Sequence, residues 1–193
     1  MTSPQYTCAL DDGTPILLRP LHDDDAGRLE TGFRQLSPES RYRRFLTYKV
    51  GLSPSELKYF THCDGANHFA LGAFLINAKG GEPELVAVGR CVRDTDEFAL
   101  AEVAIVVTDA WQQHGIGALL FAALANGAWQ SGVRHWKAVF LAGNTAIQRL
   151  LETVGKKQAE CALDCGVVEA VYALVPPWHL SPLVKEACDE AKQ

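Results

Sequence analysis

Residues 98–120 read FALAEVAIVVTDAWQQHGIGALL. The first part is an apolar run expected as a strand over 98–107. The last part opens an apolar helix from about Gly115 to Gln130, with Leu119, Leu120, Ala123, Leu124 and Ala128 at helical spacing. Between them lies a turn with Gly115 and Gly117 one residue apart. Strand, glycine turn, helix is a common way to hold a phosphate. The first N–H groups of a helix lack intrahelical partners, and the helix dipole adds partial positive charge behind them. Glycines let the backbone approach the anion and take turn dihedrals that a Cβ resists. The turn lacks the Lys-Ser/Thr pair of a nucleoside triphosphate loop, and Leu120 stands where a dinucleotide fold has its third glycine. The loop reads as a grip on pyrophosphate, with the chemistry elsewhere.

Working outward, PILLRPL (15–21) reads as a strand. A helix follows, its start marked by the Asp cluster at 23–25 and one face by Leu29, Phe33 and Leu36. Ser37-Pro38 and Ser53-Pro54 each open a further helix, with serine as cap and proline first in the helix. HFALGAFLI (68–76), ELVAVGRCV (84–92), HWKAVFLAG (135–143) and VVEAVYALV (167–175) read as strands. Asn144 caps a helix that Gly155 closes. This is an α/β pattern: a mixed sheet with helices on both faces. Residues 1–14 form an N-terminal segment, 15–176 one domain, and 177–193 a Pro-rich exit with a short amphipathic tail helix.

A chain of 193 residues is long enough to bury a substantial core. Its net charge of -5 argues against nucleic acid or an anionic membrane surface as partner, since both need a basic face. No apolar stretch approaches the roughly 20 residues that span a bilayer, and the start, MTSPQYTCALDDG, lacks the pattern of a secretory signal. A cytoplasmic location is expected. The six cysteines contain no CxxC pair, so free thiols are expected and no metal site.

The stretch Gln112-Gln113-His114-Gly115-Ile116-Gly117 resembles the acyl-CoA loop of GNAT-type N-acetyltransferases, whose signature is Gln/Arg-x-x-Gly-x-Gly/Ala. The strand WKAVFLAGN and the helix ending in VG follow at family-like spacing. LLRPLHDDDAGRL, LSPESRYRRF and AVGRCVRDTDEFALAEVAIVV look similar to the acetyltransferase domains of bacterial protein-lysine acetyltransferases. The resemblance covers about residues 15 to 175. It implies one mixed, mostly antiparallel central sheet of six to seven strands, and transfer of an acetyl group from acetyl-CoA to an amine without metal. It implies that the strand before the loop splays from the next, with the pantetheine arm against Ala104, Ile105, Val106 and Val107. A backbone N–H there would also stabilise the oxyanion. Gln112, Gln113, His114, Gly115, Ile116, Gly117 and Ala118 would hold the pyrophosphate, and Asn144 matches an asparagine that contacts CoA. The acceptor implied is a protein lysine, with a small-molecule amine, or a CoA-binding module without turnover, as alternatives. Monomer and homodimer are both compatible.

A lysine-like amine of pKa about 10.4 must lose a proton before attacking near neutral pH. Glu102 is the candidate base: a carboxylate inside ALAEVAIVV is otherwise out of place, and it shares a strand face with Ala104 and Val106. Burial there would raise its pKa. The alternative is an edge carboxylate paired to Arg90 or Arg93. Leu151 occupies the position where many family members carry a tyrosine that protonates the leaving thiolate. Tyr172 is a candidate substitute for it, with a packing role as the alternative. His68 reads as a structural strand-end residue, His114 as exposed, and the arginines of RYRRF as a solvated or salt-bridged face.

Overall fold

A computed structural model describes residues 5–76 and 82–176; the expected tail helix and Cys188 lie outside them. The strands are β1 (Tyr6–Ala9), β2 (Pro15–Pro20), β3 (His68–Leu75), β4 (Glu84–Arg93), β5 (Leu100–Val107), β6 (His135–Leu141), β7 (Gly155–Ala162) and β8 (Val167–Leu174). The helices are α1 (Ala26–Gln35), α2 (Pro38–Phe45), α3 (Pro54–Thr61), α4 (Ile116–Gln130) and α5 (Thr145–Val154). One sheet runs in the order β1-β2-β3-β4-β5-β6-β8-β7. Every pairing is antiparallel except β5 with β6, and that parallel pair needs the crossover that α4 supplies.

Eight strands form where six to seven were expected. Tyr6–Ala9, set apart above as an N-terminal segment, pairs with β2. Strand β7 carries no apolar alternation; all but Gly155 of it is exposed. Its pairing with β8 holds it in place, so hydrophobic periodicity gave no sign of it.

Helices cover both faces of the first half of the sheet. Strands β3 and β4 are buried almost continuously, as a strand between two helical layers must be. Helix α4 fills one side: Leu120, Phe121 and Leu124 are fully buried, worth about 1.5–3 kcal/mol each. On the other side α1 lies so close to β4 that a Cβ on Gly32 would sit 3.1 Å from the Leu85 carbonyl oxygen. The start of α1 is pinned by Asp25, which is 1% exposed. Its carboxylate accepts from Arg19 at 2.6 and 2.8 Å, from Arg28 at 3.2 Å and from the His22 N–H at 3.0 Å. The Ser37 and Ser53 caps form as expected, the second as a full capping box with Glu56.

The second half of the sheet differs. Strands β6 and β8 alternate buried and half-buried residues, the pattern of a sheet packed on one face only. Their open face carries Lys137, Val139 and Leu141 on β6.

Candidate active site

Strand β5 pairs with β4 along nearly its whole length, from Ala101 opposite Arg93 to Val107 opposite Ala87. With β6 it pairs only through Leu100, Ala101 and Glu102. Beyond Glu102 the two strands part. The phase of the ladder decides which backbone groups are left over. The Thr108 N–H bonds the Val86 carbonyl at 2.8 Å, and the Asp94 N–H the Leu100 carbonyl at 3.0 Å. Even-numbered residues of β5 therefore bond to β4; the Val103 N–H still serves the Glu102–Lys137 pairing, and beyond it Ile105 and Val107 turn their N–H and C=O groups into the gap. Ala104 and Val106 have their backbone committed to β4. All four residues from Ala104 to Val107 are half-buried.

The gap opens at the glycine loop. After a single turn at Asp109–Trp111, Gln113 and Gly115 take positive φ, 65° and 81°. Helix α4 then starts at Ile116, and the Ala118 and Leu119 N–H groups close on the Gly115 carbonyl. The five preceding N–H groups, from Gln113 to Gly117, have no acceptor among the described residues. They form a donor cluster at the positive end of the α4 dipole. The side chain of Gln112 braces the loop, donating to the Val107 carbonyl and to Ser40 Oγ, each at 3.2 Å. Asp109 ties it to α2, accepting from the Ser37 N–H and from the hydroxyls of Ser37 and Ser40. Burial alone would raise the Asp109 pKa; these three bonds outweigh it and hold the carboxyl below its usual range. His114 is exposed, with Nδ1 at 2.8 Å from the Gln112 carbonyl oxygen. Asn144 caps α5 through Oδ1 at 3.4 Å from the Ile147 N–H.

Glu102 stands where β5 and β6 begin to part, beside Lys137 on the open face. Its apolar neighbours suggested a desolvated carboxylate; the structure leaves it exposed. No described residue hydrogen-bonds or ion-pairs with it. Neither arginine proposed as its partner reaches it. Arg93 donates to the carbonyls of Phe98 and Ser131. Arg90 donates to the Phe60 carbonyl at 2.6 Å and contacts Cys63 Sγ and His68 Nε2.

Beside Glu102, between α1–α3 and β4–β5, lies a cavity of about 50 Å³ walled by apolar side chains such as Leu29, Phe33, Phe45 and Val88. Two arginines line it: Arg90, 5% exposed, and Arg44. Burial and the neighbouring Arg90 push the Arg44 pKa down to about 10, while Glu102 pulls it up. The RYRRF arginines therefore divide. Arg43 pairs with Glu39 at 2.6 Å on the surface, as expected, while Arg44 turns inward. His68 stacks on Tyr59, and burial and Arg90 hold its pKa below the usual value.

The sequence profile of the acetyltransferase (GNAT) domain family matches residues 16–157. The chain belongs to the GNAT family. It is 31% identical over 180 residues to acetyltransferase Pat of Mycolicibacterium smegmatis, covering 93% of this chain and 52% of Pat. It thus spans about half the length of that relative. Acetyltransferase PA5475 of Pseudomonas aeruginosa is 31% identical over 147 residues, 76% of this chain and 77% of that protein. The crystal structure of the GNAT domain of S. lividans PAT superposes with a TM-score of 0.76 at 29% identity, over 88% of this chain and 97% of that one. GNAT acetyltransferases use acetyl-CoA, and this GNAT domain fits that co-substrate. The five unpartnered N–H groups suit a pyrophosphate, and the unpaired edge of β5 suits an amide-bearing arm.

Two further positions bear on the leaving thiolate. Leu151 of this GNAT domain is sealed in the core and has no proton to give. Tyr172 is equally sealed, and its hydroxyl has no described partner. Burial pushes its pKa up. The Asp109 tie and the closeness of Arg44 and Arg90 are not legible in the sequence; the serines of LSPES hinted at a cap and not at a clamp between α2 and the loop.

Proposed function

We propose that residues 15–176 transfer the acetyl group of acetyl-CoA by direct attack to a primary amine, the side chain of a protein lysine. One observation carries this reading. An exposed carboxylate without a partner, Glu102, stands at the point where β5 and β6 part. An open face suits a large acceptor, whereas a small amine needs an enclosing pocket. The likeness to bacterial protein-lysine acetyltransferases supports the same acceptor.

In this reading, the N–H groups from Gln113 to Gly117 grip the pyrophosphate and Ala118 completes the first turn behind them. Ile105 and Val107 pair through their backbone with the pantetheine arm, and Ala104 and Val106 flank them. Gln112 and His114 shape the loop, and Asn144 offers its amide nitrogen. Acetyl-CoA supplies the acetyl thioester. Glu102 accepts the amine's proton, directly or through water. The Ile105 N–H faces the gap and donates to the carbonyl oxygen as it gains charge. With Leu151 aprotic and Tyr172 sealed, solvent receives the thiolate.

The test is release of CoA thiol from acetyl-CoA against lysine-containing proteins and a panel of small amines. Acetyl-lysine on protein is the expected product. Turnover restricted to small amines overturns the acceptor, and acetyl-CoA binding without turnover on any amine overturns the enzyme reading.

A further inference from the structure

The cavity beside Glu102 holds more positive charge than its surroundings neutralise. Arg90 is buried, and its guanidinium meets a carbonyl, a thiol and an imidazole but no carboxylate. Arg44 is half-buried at the mouth of the cavity, lies over the Phe45 ring at 4.9 Å and makes no hydrogen bond or ion pair with any described residue. Two guanidiniums share one apolar cavity, and each disfavours the charge of the other. Buried charges are ordinarily paired, because an unpaired one loses hydration without recompense. The nearest carboxylates are engaged elsewhere or lie beyond contact. Asp64 accepts from the N–H groups of Ala66, Asn67 and His68, Glu56 holds Lys49, and Glu102 is exposed and bonds to neither arginine.

Size and position define the missing partner. Small-molecule sites enclose roughly 300–1,000 Å³; about 50 Å³ suits a carboxyl group and not a whole substrate. Arg90 sits opposite Ala104, and Glu102 opposite Val92. Arg90 and Glu102 are therefore diagonal neighbours on one sheet face, about 7–8 Å apart. In an extended peptide, side chains on the same face recur at every second residue, about 7 Å apart. A lysine reaching Glu102 brings a neighbouring side chain over the two arginines.

We propose that Arg44 and Arg90 bind the carboxylate of an aspartate or glutamate lying within two residues of the acceptor lysine, so that this enzyme selects lysines with an acidic neighbour. The proposal rests on the lysine-acceptor reading above and names what that acceptor looks like. Guanidinium–carboxylate recognition is planar and two-pronged, so a glutamine in place of the glutamate would not substitute.

The experiment compares short single-lysine peptides bearing Glu or Gln at each position within two residues of the lysine. Binding is measured on otherwise identical peptides with norleucine in place of lysine, so that affinity is read without turnover; initial rates with acetyl-CoA follow on the lysine versions. Wild type should bind a Glu peptide roughly tenfold to a hundredfold more tightly than its Gln counterpart. In Arg44→Met that ratio should fall to about one, while the melting shift produced by acetyl-CoA persists as evidence of an intact fold. Arg44→Lys, which keeps the charge and loses the fork, should fall between. Equal affinity for Glu and Gln peptides at every position overturns the proposal. So does an Arg44-dependent preference for succinyl-CoA over acetyl-CoA without any peptide effect, which would assign the cavity to the acyl group. An Arg44-dependent Glu preference in binding with no acetyl-lysine formed supports the pocket and sinks the lysine-transfer reading instead.

Discussion

Replacing Glu102 by glutamine keeps the size of the side chain and removes its capacity to accept a proton. Glu102 is exposed, and no described residue bonds to it, so the fold should hardly respond. A surface change away from packed or paired features stays within about 0.5 kcal/mol. The effect on turnover is set by the acceptor. An amine of pKa about 10.4 is deprotonated to roughly one part in 10³ near pH 7.4, and without a base only that fraction attacks. Glu102→Gln should therefore lower kcat/KM by about 10³-fold near pH 7.4, inside the roughly 10²–10⁴-fold span of general bases. The deficit should shrink about tenfold per pH unit towards pH 10, as solution supplies the neutral amine. The assay is thiol release with a lysine peptide at saturating acetyl-CoA across that pH range, alongside acetyl-CoA affinity, which should not change. A variant that turns over at the wild-type rate near neutral pH refutes the assignment. A deficit that stays flat with pH refutes the mechanism.

A Cβ at residue 117 would meet Leu150 at 3.4 Å and Val107 at 3.8 Å; it points into the mouth of the gap and not at the unpartnered N–H groups. Gly117→Ala should keep the rise in melting temperature produced by acetyl-CoA, and Gly117→Val should abolish it; a wild type that shows no rise means the loop is not the binding site. Asp25→Asn strips Arg19 of its buried counter-ion and should cost about 3–5 kcal/mol in urea unfolding. Burial pushes the Asp25 carboxyl up, but Arg19 and the His22 N–H outweigh it and lower its pKa. Its contribution is complete above about pH 4 and fades as pH falls through the lowered value; a gap between wild type and Asp25→Asn that widens in acid contradicts this pairing. Tyr172→Phe removes a buried hydroxyl without a described partner, so stability should hold or rise and turnover should persist; lost turnover with acetyl-CoA binding intact would move the proton donor to β8. Leu151→Tyr should cost about 1–3 kcal/mol in thermal or urea melts by overpacking a sealed position, and a gain in rate would show that its hydroxyl reaches the sulfur.

What could be read directly from the sequence is what closes within a few residues. Ser37, Ser53 and Asn144 cap the helices that follow them because the cap bond spans three residues. Gly115 marks the loop because a positive φ is a property of one backbone position. The alternation of buried and half-buried residues in β6 and β8 is where the sheet departs from the expected helices on both faces. Other features belong to no single segment. Strand β7 exists because β8 offers an edge, and its own side chains carry no sign of it. The gap exists because pairing of β5 with β6 stops at Glu102 while pairing with β4 continues. That stop leaves the Ile105 backbone groups and the Val107 N–H unspent, while Glu102 stays exposed at the point of parting. Arg44 and Arg90 come from α2 and β4, separate in the chain, and only the packing of α1–α3 on the sheet closes one cavity over both. Caps and turns are settled by bonds between near neighbours; charge left uncompensated in a cavity depends on everything packed around it, and that is decided only when the chain has folded.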